Sequence, residues 1–260
     1  MRVSVLQLDL HYNDPDKNFS AILNKIVDCA QSEEPDVIVL PEMWNVSFFP
    51  KNLEKTADED GHRTRKFLSE LSRKYRINIV GGSVAVKARN GFYNTSYTYN
   101  RQGELVHTYN KVHLFSLAEE DRHFQVGESL GVFELDGVKV GVATCYDLRF
   151  VEWIRMMALE GIEILFVPAA WPHPRQKPWK TLLEARAIEN QMFVVGVNSS
   201  GRTNTLDFCG HSVVIDPLGE VLKEAQEEEA VLTTDLDLIR LKEVREEIGI
   251  YQDRRPDLYR

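Results

Sequence analysis

Cysteine is scarce in this chain. Only Cys29, Cys145 and Cys209 occur among its 260 residues, and no two are arranged as Cys-x-x-Cys. An odd number of cysteines without that spacing argues against a disulfide framework and against a zinc ribbon. We therefore expect a reducing compartment, the cytoplasm. Cys29 lies in an amphipathic helical pattern and Cys209 in a strand pattern, so both are predicted to be core residues.

Long hydrophobic runs and an excess of positive charge are also missing. No stretch approaches the ~18–20 apolar residues that a membrane span needs. The first residues, MRVSVLQLDLHYNDPDKN, carry acidic and polar side chains where a signal peptide would be apolar. Lys plus Arg is 31 and Asp plus Glu is 40, a formal net charge of −9. These features argue against a membrane and against nucleic acid as partners.

Several familiar chemical motifs are absent as well. The sequence contains no Gly-x-Ser-x-Gly, no Gly-x-Gly-x-x-Gly, no phosphate-binding loop and no His-Glu-x-x-His. His113, His123, His173 and His211 are scattered without ligand spacing. We therefore expect neither a metal ion nor a cofactor.

A strand–helix–strand order occurs twice along the chain. Arg2–Leu8 and Asp36–Leu40 flank a helix in the first half, and Val138–Thr144 and Glu163–Pro168 flank one in the second. Short apolar runs without alternation are typical of strands buried on both faces. The pattern predicts an α/β protein with two sheets packed face to face and helices outside. Because no linker divides the chain, residues 1–260 are predicted to form a single domain.

The remaining segments give further local predictions. Ile77–Val86 is predicted to be one strand, and Phe92–Asn100 with Glu104–Asn110 a hairpin. Lys111–Gly127 is predicted to be a loop or short helix over a site, and Cys209–Leu222 a strand pair around a turn. The tail from about residue 236 begins with a helical run and is predicted to pack on a partner.

Three candidate catalytic residues lie at the predicted ends of strands. Cys145 ends a strand and precedes Tyr146 in a turn that leads to a helix, where backbone amides would stabilise a thiolate or an oxyanion. Glu42 follows the buried strand and Pro41, so desolvation should raise its pKa toward that of a useful base. Lys111, also at a strand end, offers a cation where negative charge develops. Taken alone, each of these residue types in such a position is more often structural or on the surface.

Taken together, several segments resemble the nitrilase superfamily of carbon–nitrogen hydrolases. The matching segments, in chain order, are DVIVLPEMW (36–44), YNKVHLF (109–115), GVATCYDLRF (141–150), WP (171–172), ARAIENQ (185–191) and GHSVVIDPLG (210–219). The resemblance implies a four-layer α-β-β-α sandwich. It also implies a catalytic triad of Glu42, Lys111 and Cys145. A second glutamate implied by the family falls on Glu119 or Glu120, of which Glu120 fits the pattern better.

Within the superfamily the chain resembles the ω-amidase-like branch. That branch hydrolyses the terminal amide of 2-oxo acids such as 2-oxoglutaramate to acid and ammonia, through a cysteine thioester. Two segments depart from the branch: Asn45–Pro50 replaces a Gly-Tyr element near the expected pocket wall, and Val151 replaces a proline. The first departure bears on substrate identity and the second on the start of a helix.

The substrate side of the site is less defined by the sequence. Trp171 is predicted to form a pocket wall, Arg175 to pair with a substrate carboxylate, and the Tyr146 amide to bind the oxyanion. The family also implies a homodimer or a higher homo-oligomer. The same triad would serve a nitrilase or an N-carbamoyl amidohydrolase, and a non-enzymatic binding module is a further alternative.

Overall fold

The computed structural model describes residues 1–203 and 206–259. The strands there are β1 (Arg2–Gln7), β2 (Val37–Val39), β3 (Asp58–Glu59), β4 (Asn78–Val80), β5 (Val84–Ala88), β6 (Gly91–Tyr99), β7 (Leu105–Asn110), β8 (Val132–Leu135), β9 (Val138–Val142), β10 (Ile164–Ala169), β11 (Phe193–Asn198), β12 (Val213–Ile215), β13 (Val221–Glu224) and β14 (Ala230–Asp235). The helices are α1 (Pro15–Ser32), α2 (Leu53–Thr56), α3 (His62–Tyr75), α4 (Glu120–His123), α5 (Val151–Leu159), α6 (Gln176–Asn190) and α7 (Leu238–Glu247).

These strands form two sheets. The first sheet has the order β14-β1-β2-β4-β6-β5-β3, with β7 paired to β6. The second has the order β13-β12-β11-β10-β9-β8. In the middle of each sheet the strands run parallel: β2 lies between β1 and β4, and β10 lies between β9 and β11.

The two sheets pack face to face through alternate residues of their central strands. Val37 and Val39 of β2 belong to the same buried cluster as Ile164 and Phe166 of β10. The residue between them, Ile38, belongs to a different cluster on the outer face of the first sheet. Both faces of these strands are therefore covered, which is why their sequences show no polar alternation.

Helices cover the two outer faces. Helices α1 and α3 pack on the first sheet, and α5 and α6 pack on the second. Helix α1 starts where the sequence predicts: the Asp14 carboxylate accepts a hydrogen bond from the Lys17 amide (3.1 Å), and Pro15 occupies the first turn. The predicted four-layer α-β-β-α sandwich is confirmed.

The predicted strand Ile77–Val86 is wrong as a single element. It is broken into β4 and β5 by Gly81 and Gly82, and Gly82 has a φ of +58°. A Cβ on Gly82 would lie 2.0 Å from the Pro41 carbonyl oxygen. The break lets the chain pass directly beside the segment that leads to Glu42.

We expect Gly82→Ala to lower the melting temperature and to displace Pro41. A side chain at positive φ together with a backbone clash should cost more than about 1 kcal/mol. Gly137→Ala is the matched control, because Gly137 also has a positive φ (+78°) but a Cβ there would meet no atom within 4 Å. Comparing the melting temperatures of the two variants separates the clash from the backbone strain. An equal decrease in melting temperature in both would contradict the clash.

The C-terminal third differs from the sequence prediction in two places. The predicted strand pair Cys209–Leu222 starts only at Val213, so the assignment of Cys209 to a strand is wrong. Strand β14, which the sequence reading missed, pairs antiparallel with β1. Helix α7 then packs on the chain itself, because Leu241 and Val244 are buried. Its predicted packing on a partner, and the single domain, stay predictions. None of the helices in the described residues is long and apolar enough to cross a membrane.

Candidate active site

The predicted site residues converge from both sheets. Glu42 follows β2, and Lys111 follows β7, both in the first sheet. Cys145 follows β9 in the second sheet, whose strand β10 leads to Trp171. Because β2, β9 and β10 present their carboxyl ends to the same edge of the sandwich, Cys145 and Glu42 lie close enough for each to shift the pKa of the other.

Cys145 sits at a strained turn. Its φ is +46°, in the left-handed region, and it begins a short 3₁₀ segment that runs to Arg149. Such backbone strain in a residue other than glycine persists only where the surroundings impose it, and it is common at functional sites. The thiol is 7% exposed, and it opens into a cavity.

Asp147 connects this turn to the segment that carries Lys111. Its buried carboxylate accepts hydrogen bonds from the Thr144 amide (2.8 Å), the Tyr109 hydroxyl (2.7 Å) and the His113 amide (2.9 Å). Tyr109 and His113 lie two residues before and after Lys111. The nucleophile turn and the lysine segment are thus held together by one carboxylate that sequence reasoning did not single out.

Lys111 is fully buried between two glutamates. Its Nζ lies 2.8 Å from Glu42 Oε1 and 2.8 Å from Glu120 Oε2. Glu120 is buried, whereas the side chain of Glu119 is 57% exposed and pairs with Arg122. Of the two glutamates that the sequence left open, Glu120 is therefore the one in contact with Lys111.

Glu42 has partners on both carboxylate oxygens. Oε2 accepts a hydrogen bond from the Ala170 amide (2.9 Å). Oε1 accepts hydrogen bonds from Lys111 and from Asn94 Nδ2 (2.8 Å). Asn94 was missed in the sequence reading. The available signal was an asparagine within the strand pattern of β6, where this residue type is disfavoured.

Burial shifts the pKa values of all three predicted triad residues. It raises the pKa of Glu42 above the ordinary 4.5, Lys111 acts against this rise, and Glu120 adds to it. Burial alone would lower the pKa of Lys111, but Glu120 and Glu42 together hold that pKa well above its ordinary value. Burial and the Glu42 charge raise the pKa of Cys145 well above its ordinary value. These shifts favour the thiol form of Cys145 over the thiolate.

The cavity at Cys145 measures about 290 Å³ including its mouth. Its lining residues are Phe48, Phe115, Cys145, Tyr146, Arg149, Ala170, Trp171, Pro172 and Arg175. Because this figure includes space that is open to solvent, the enclosed part of the cavity is much smaller. Of the predicted substrate-binding residues, Tyr146, Trp171 and Arg175 all lie in its wall.

Two arginine side chains line this cavity. The Arg149 Cζ lies 4.9 Å from the Trp171 ring centroid, and the Arg175 Cζ lies 5.8 Å from that of Phe115. Neither group has a carboxylate within salt-bridge distance in residues 1–203 and 206–259. Arg149 was not among the predicted substrate contacts, although the segment that carries it was part of the family pattern.

The Trp171 indole is fixed on two sides. Its Nε1 donates a hydrogen bond to the Arg175 carbonyl oxygen (2.8 Å), and its backbone amide donates one to Asn198 Oδ1 (2.6 Å). This arrangement ties the loop that carries Arg175 to the cavity wall. In the part of the chain that the structure describes, no group of three or more His, Cys, Asp or Glu side chains could hold a metal ion.

Comparison with known proteins identifies the family of this chain. Residues 2–246 match the carbon–nitrogen hydrolase family. The chain is 43% identical over 257 residues to a 2-oxoglutaramate amidase of Bacillus subtilis, which covers 99% of this chain and 98% of the relative. It is 35% identical over 272 residues to an omega-amidase of Danio rerio, covering 99% and 96%. A solved carbon–nitrogen hydrolase superfamily protein of Xanthomonas campestris superposes with a TM-score of 0.92 at 30% identity, covering 98% of this chain and 97% of that one.

The chain belongs to the carbon–nitrogen hydrolase family. The assignment to this class of enzyme and the predicted resemblance to the ω-amidase-like branch are both confirmed by these relatives. The roles of individual side chains follow from the geometry as proposals.

Proposed function

We propose that the protein hydrolyses the terminal amide of a small carboxylate-bearing substrate, a 2-oxo acid ω-amide such as 2-oxoglutaramate, to the acid and ammonia. The observation that carries this proposal is the buried thiol of Cys145 beside Glu42, whose carboxylate is bonded to a lysine held by two glutamates. The names of two relatives, a 2-oxoglutaramate amidase and an omega-amidase, support the substrate class.

In the first half of the reaction, Glu42 takes the proton of the Cys145 thiol as sulfur attacks the amide carbon. The amide oxygen becomes an oxyanion, bound by the Lys111 ammonium and by the Tyr146 backbone amide. The Tyr146 amide is in the first turn of the 3₁₀ segment, where backbone N–H groups lack partners within the helix. Glu42 then gives its proton to the amide nitrogen, the carbon–nitrogen bond breaks, and ammonia leaves.

In the second half, a thioester links the acyl group to Cys145. Glu42 removes a proton from water as the water oxygen attacks the thioester carbon, and the proton passes to sulfur as the carbon–sulfur bond breaks. The carboxylic acid leaves, and the thiol is restored. Glu120 holds the Lys111 ammonium in place through this cycle, since both of its oxygens lie within hydrogen-bond distance of Nζ.

The guanidinium groups at the cavity would bind the carboxylate of the substrate. Arg175 and Arg149 are the two cations in the cavity wall, and guanidinium pairs with carboxylates in a bidentate geometry. Because the chain carries a net charge of −9, an anionic substrate would be held by these local cations and not by the overall charge.

We expect Arg175→Gln to raise the KM for 2-oxoglutaramate about tenfold, since a hydrogen bond to a charged group is lost at a half-buried position. The KM for butyramide, which has no carboxylate, should stay unchanged. Ammonia release from both amides measures the effect, and Arg240→Gln, an exposed arginine of α7, is the control. An equal rise for both substrates would argue against carboxylate binding by Arg175.

We also propose a homodimer and a cytoplasmic location. Exposed apolar side chains of α5 and α6 form one open surface together with Ile250 and Tyr259 of the C-terminal tail. A second copy of the chain is the partner we propose for it. The three free thiols are consistent with a reducing compartment.

A further inference from the structure

Asn94 lies at the centre of the charged cluster but takes no part in the proposed reaction. It belongs to β6, and its side chain is 1% exposed. Its Nδ2 donates hydrogen bonds to Glu42 Oε1 (2.8 Å) and to Glu120 Oε1 (3.1 Å). One amide group therefore bridges the two carboxylates.

The cluster carries an excess of negative charge. Glu42 and Glu120 share a single ammonium, that of Lys111, and all three side chains are buried. Two carboxylates that share a buried site tend to keep one proton between them, because like charges disfavour double ionisation. A neutral donor that bonds both carboxylates favours the ionised form of each.

The orientation of the Asn94 amide is determined by its neighbours. Exchanging Nδ2 and Oδ1 would turn a carbonyl oxygen toward two carboxylate oxygens, so the donor must face the glutamates. The buried Oδ1 has no hydrogen-bond partner within residues 1–203 and 206–259. Leaving a buried acceptor unpaired is unfavourable, so this position is organised around the donor.

We infer that Asn94 is a positioning residue that holds Glu42 in its ionised form beside Glu120 and thereby sets the lower pH limit of the reaction. This inference rests on the proposed function, in which Glu42 acts as the base. The titratable groups that face Glu42 are Lys111, Glu120 and Cys145. None of these is altered when Asn94 is replaced.

The direction of the pH effect follows from the chemistry. Without the donor, the ionised form of Glu42 loses a hydrogen bond, so its pKa rises. Since a base acts only when ionised, the acid limb of the kcat/KM profile moves to higher pH. The shift should be about one pH unit, which is about a tenfold loss of activity below the limb and little loss above it.

The test uses Asn94→Leu, which keeps the branched shape of the side chain and removes the donor, and Asn94→Ala as a second variant. Ser96→Ala is the matched control, because Ser96 lies on the same strand, is equally buried, and its hydroxyl has no partner among the described residues. Ammonia release is measured from about pH 4 to about pH 9. We expect both Asn94 variants to shift the acid limb upward and Ser96→Ala to leave it in place.

A second assay makes the test independent of the substrate. The rate at which iodoacetamide alkylates Cys145 also depends on the Glu42 base, so its pH profile should shift in the same direction. If no amide is hydrolysed by the unaltered enzyme, the proposed function fails, while the alkylation profile still decides the role of Asn94. The inference would be overturned if folded Asn94→Leu or Asn94→Ala lost activity by the same factor at every pH while the acid limb of the profile stayed in place.

Discussion

Cys145→Ala is expected to abolish amide hydrolysis while the protein stays folded. Removal of a catalytic nucleophile costs about 10⁶-fold in kcat, since the remaining groups cannot form a covalent intermediate. The substitution removes one sulfur atom from the edge of a cavity, so the melting temperature should change little. Ammonia release and thermal unfolding of the same preparation measure the two quantities.

The chain offers a matched control for this substitution. Cys209 is also a free, buried cysteine, and burial raises its pKa to about 12, but it is not among the cavity-lining residues. Cys209→Ala should therefore lose stability and keep turnover, the reverse of Cys145→Ala. Mass spectrometry after brief iodoacetamide treatment should find one labelled site, which is lost only in Cys145→Ala. Hydrolysis that survives in purified Cys145→Ala would refute the thioester mechanism.

Glu42→Gln is expected to lower kcat by about 10²–10⁴-fold, the usual contribution of a general acid–base group. The amide of glutamine cannot take the thiol proton. It also cannot accept hydrogen bonds on both sides, whereas the Glu42 oxygens accept from Lys111 and Asn94 on one side and from the Ala170 amide on the other. A lower melting temperature should therefore accompany the loss of activity.

The pH profile gives this prediction a second measurement. Burial raises the pKa of Glu42 above 4.5, so the acid limb of the kcat/KM profile should lie above that value in the unaltered enzyme. The limb should be absent from the residual activity of Glu42→Gln. Glu119→Gln serves as the control, because the Glu119 side chain is exposed and pairs with its neighbour Arg122. An unchanged limb in Glu42→Gln would assign the titration to a different group.

The sequence predicted the parts of the molecule that depend on local pattern. The apolar runs Asp36–Leu40 and Glu163–Pro168 identified the central strands of the two sheets, since a strand covered on both faces needs apolar side chains on both. Glu42 and Cys145 followed from their positions at the ends of such strands. Lys111 was likewise singled out at a strand end. The family resemblance then joined the three residues into a triad and favoured Glu120 over Glu119, which agrees with the observed contacts.

The remaining site residues depend on contacts between distant segments. Nothing in the residues around Lys111 predicts its complete burial, which arises because Glu120 and Glu42 approach it from α4 and β2. Asn94 acquires its role only when β6 lies beside both glutamates. Arg149 comes to face the cavity because its side chain packs over Trp171 from another loop.

Two errors in the C-terminal third have similar causes. Strand β14 has one buried side chain, that of Leu232, because it lies at the edge of the first sheet. Its partner β1 lies more than two hundred residues earlier in the chain. Cys209 was assigned to a strand because it precedes apolar residues. The chain there instead bonds to loops: the Cys209 amide donates to the Trp171 carbonyl oxygen, and the Gly210 amide to that of Ser199.

The division of the site between the two sheets has a further consequence. Glu42, Asn94, Lys111 and Glu120 all follow or belong to the first sheet, while Cys145 and Ala170 follow the second. Side-chain packing between the sheets, the bonds of Asp147 and the hydrogen bond from the Glu42 amide to the Ala169 carbonyl oxygen (3.3 Å) keep the two groups in register. A slide of one layer over the other would separate Cys145 from Glu42 while every strand stayed intact. Enzymatic activity should therefore be more sensitive to the relative position of the two layers than the secondary-structure content is.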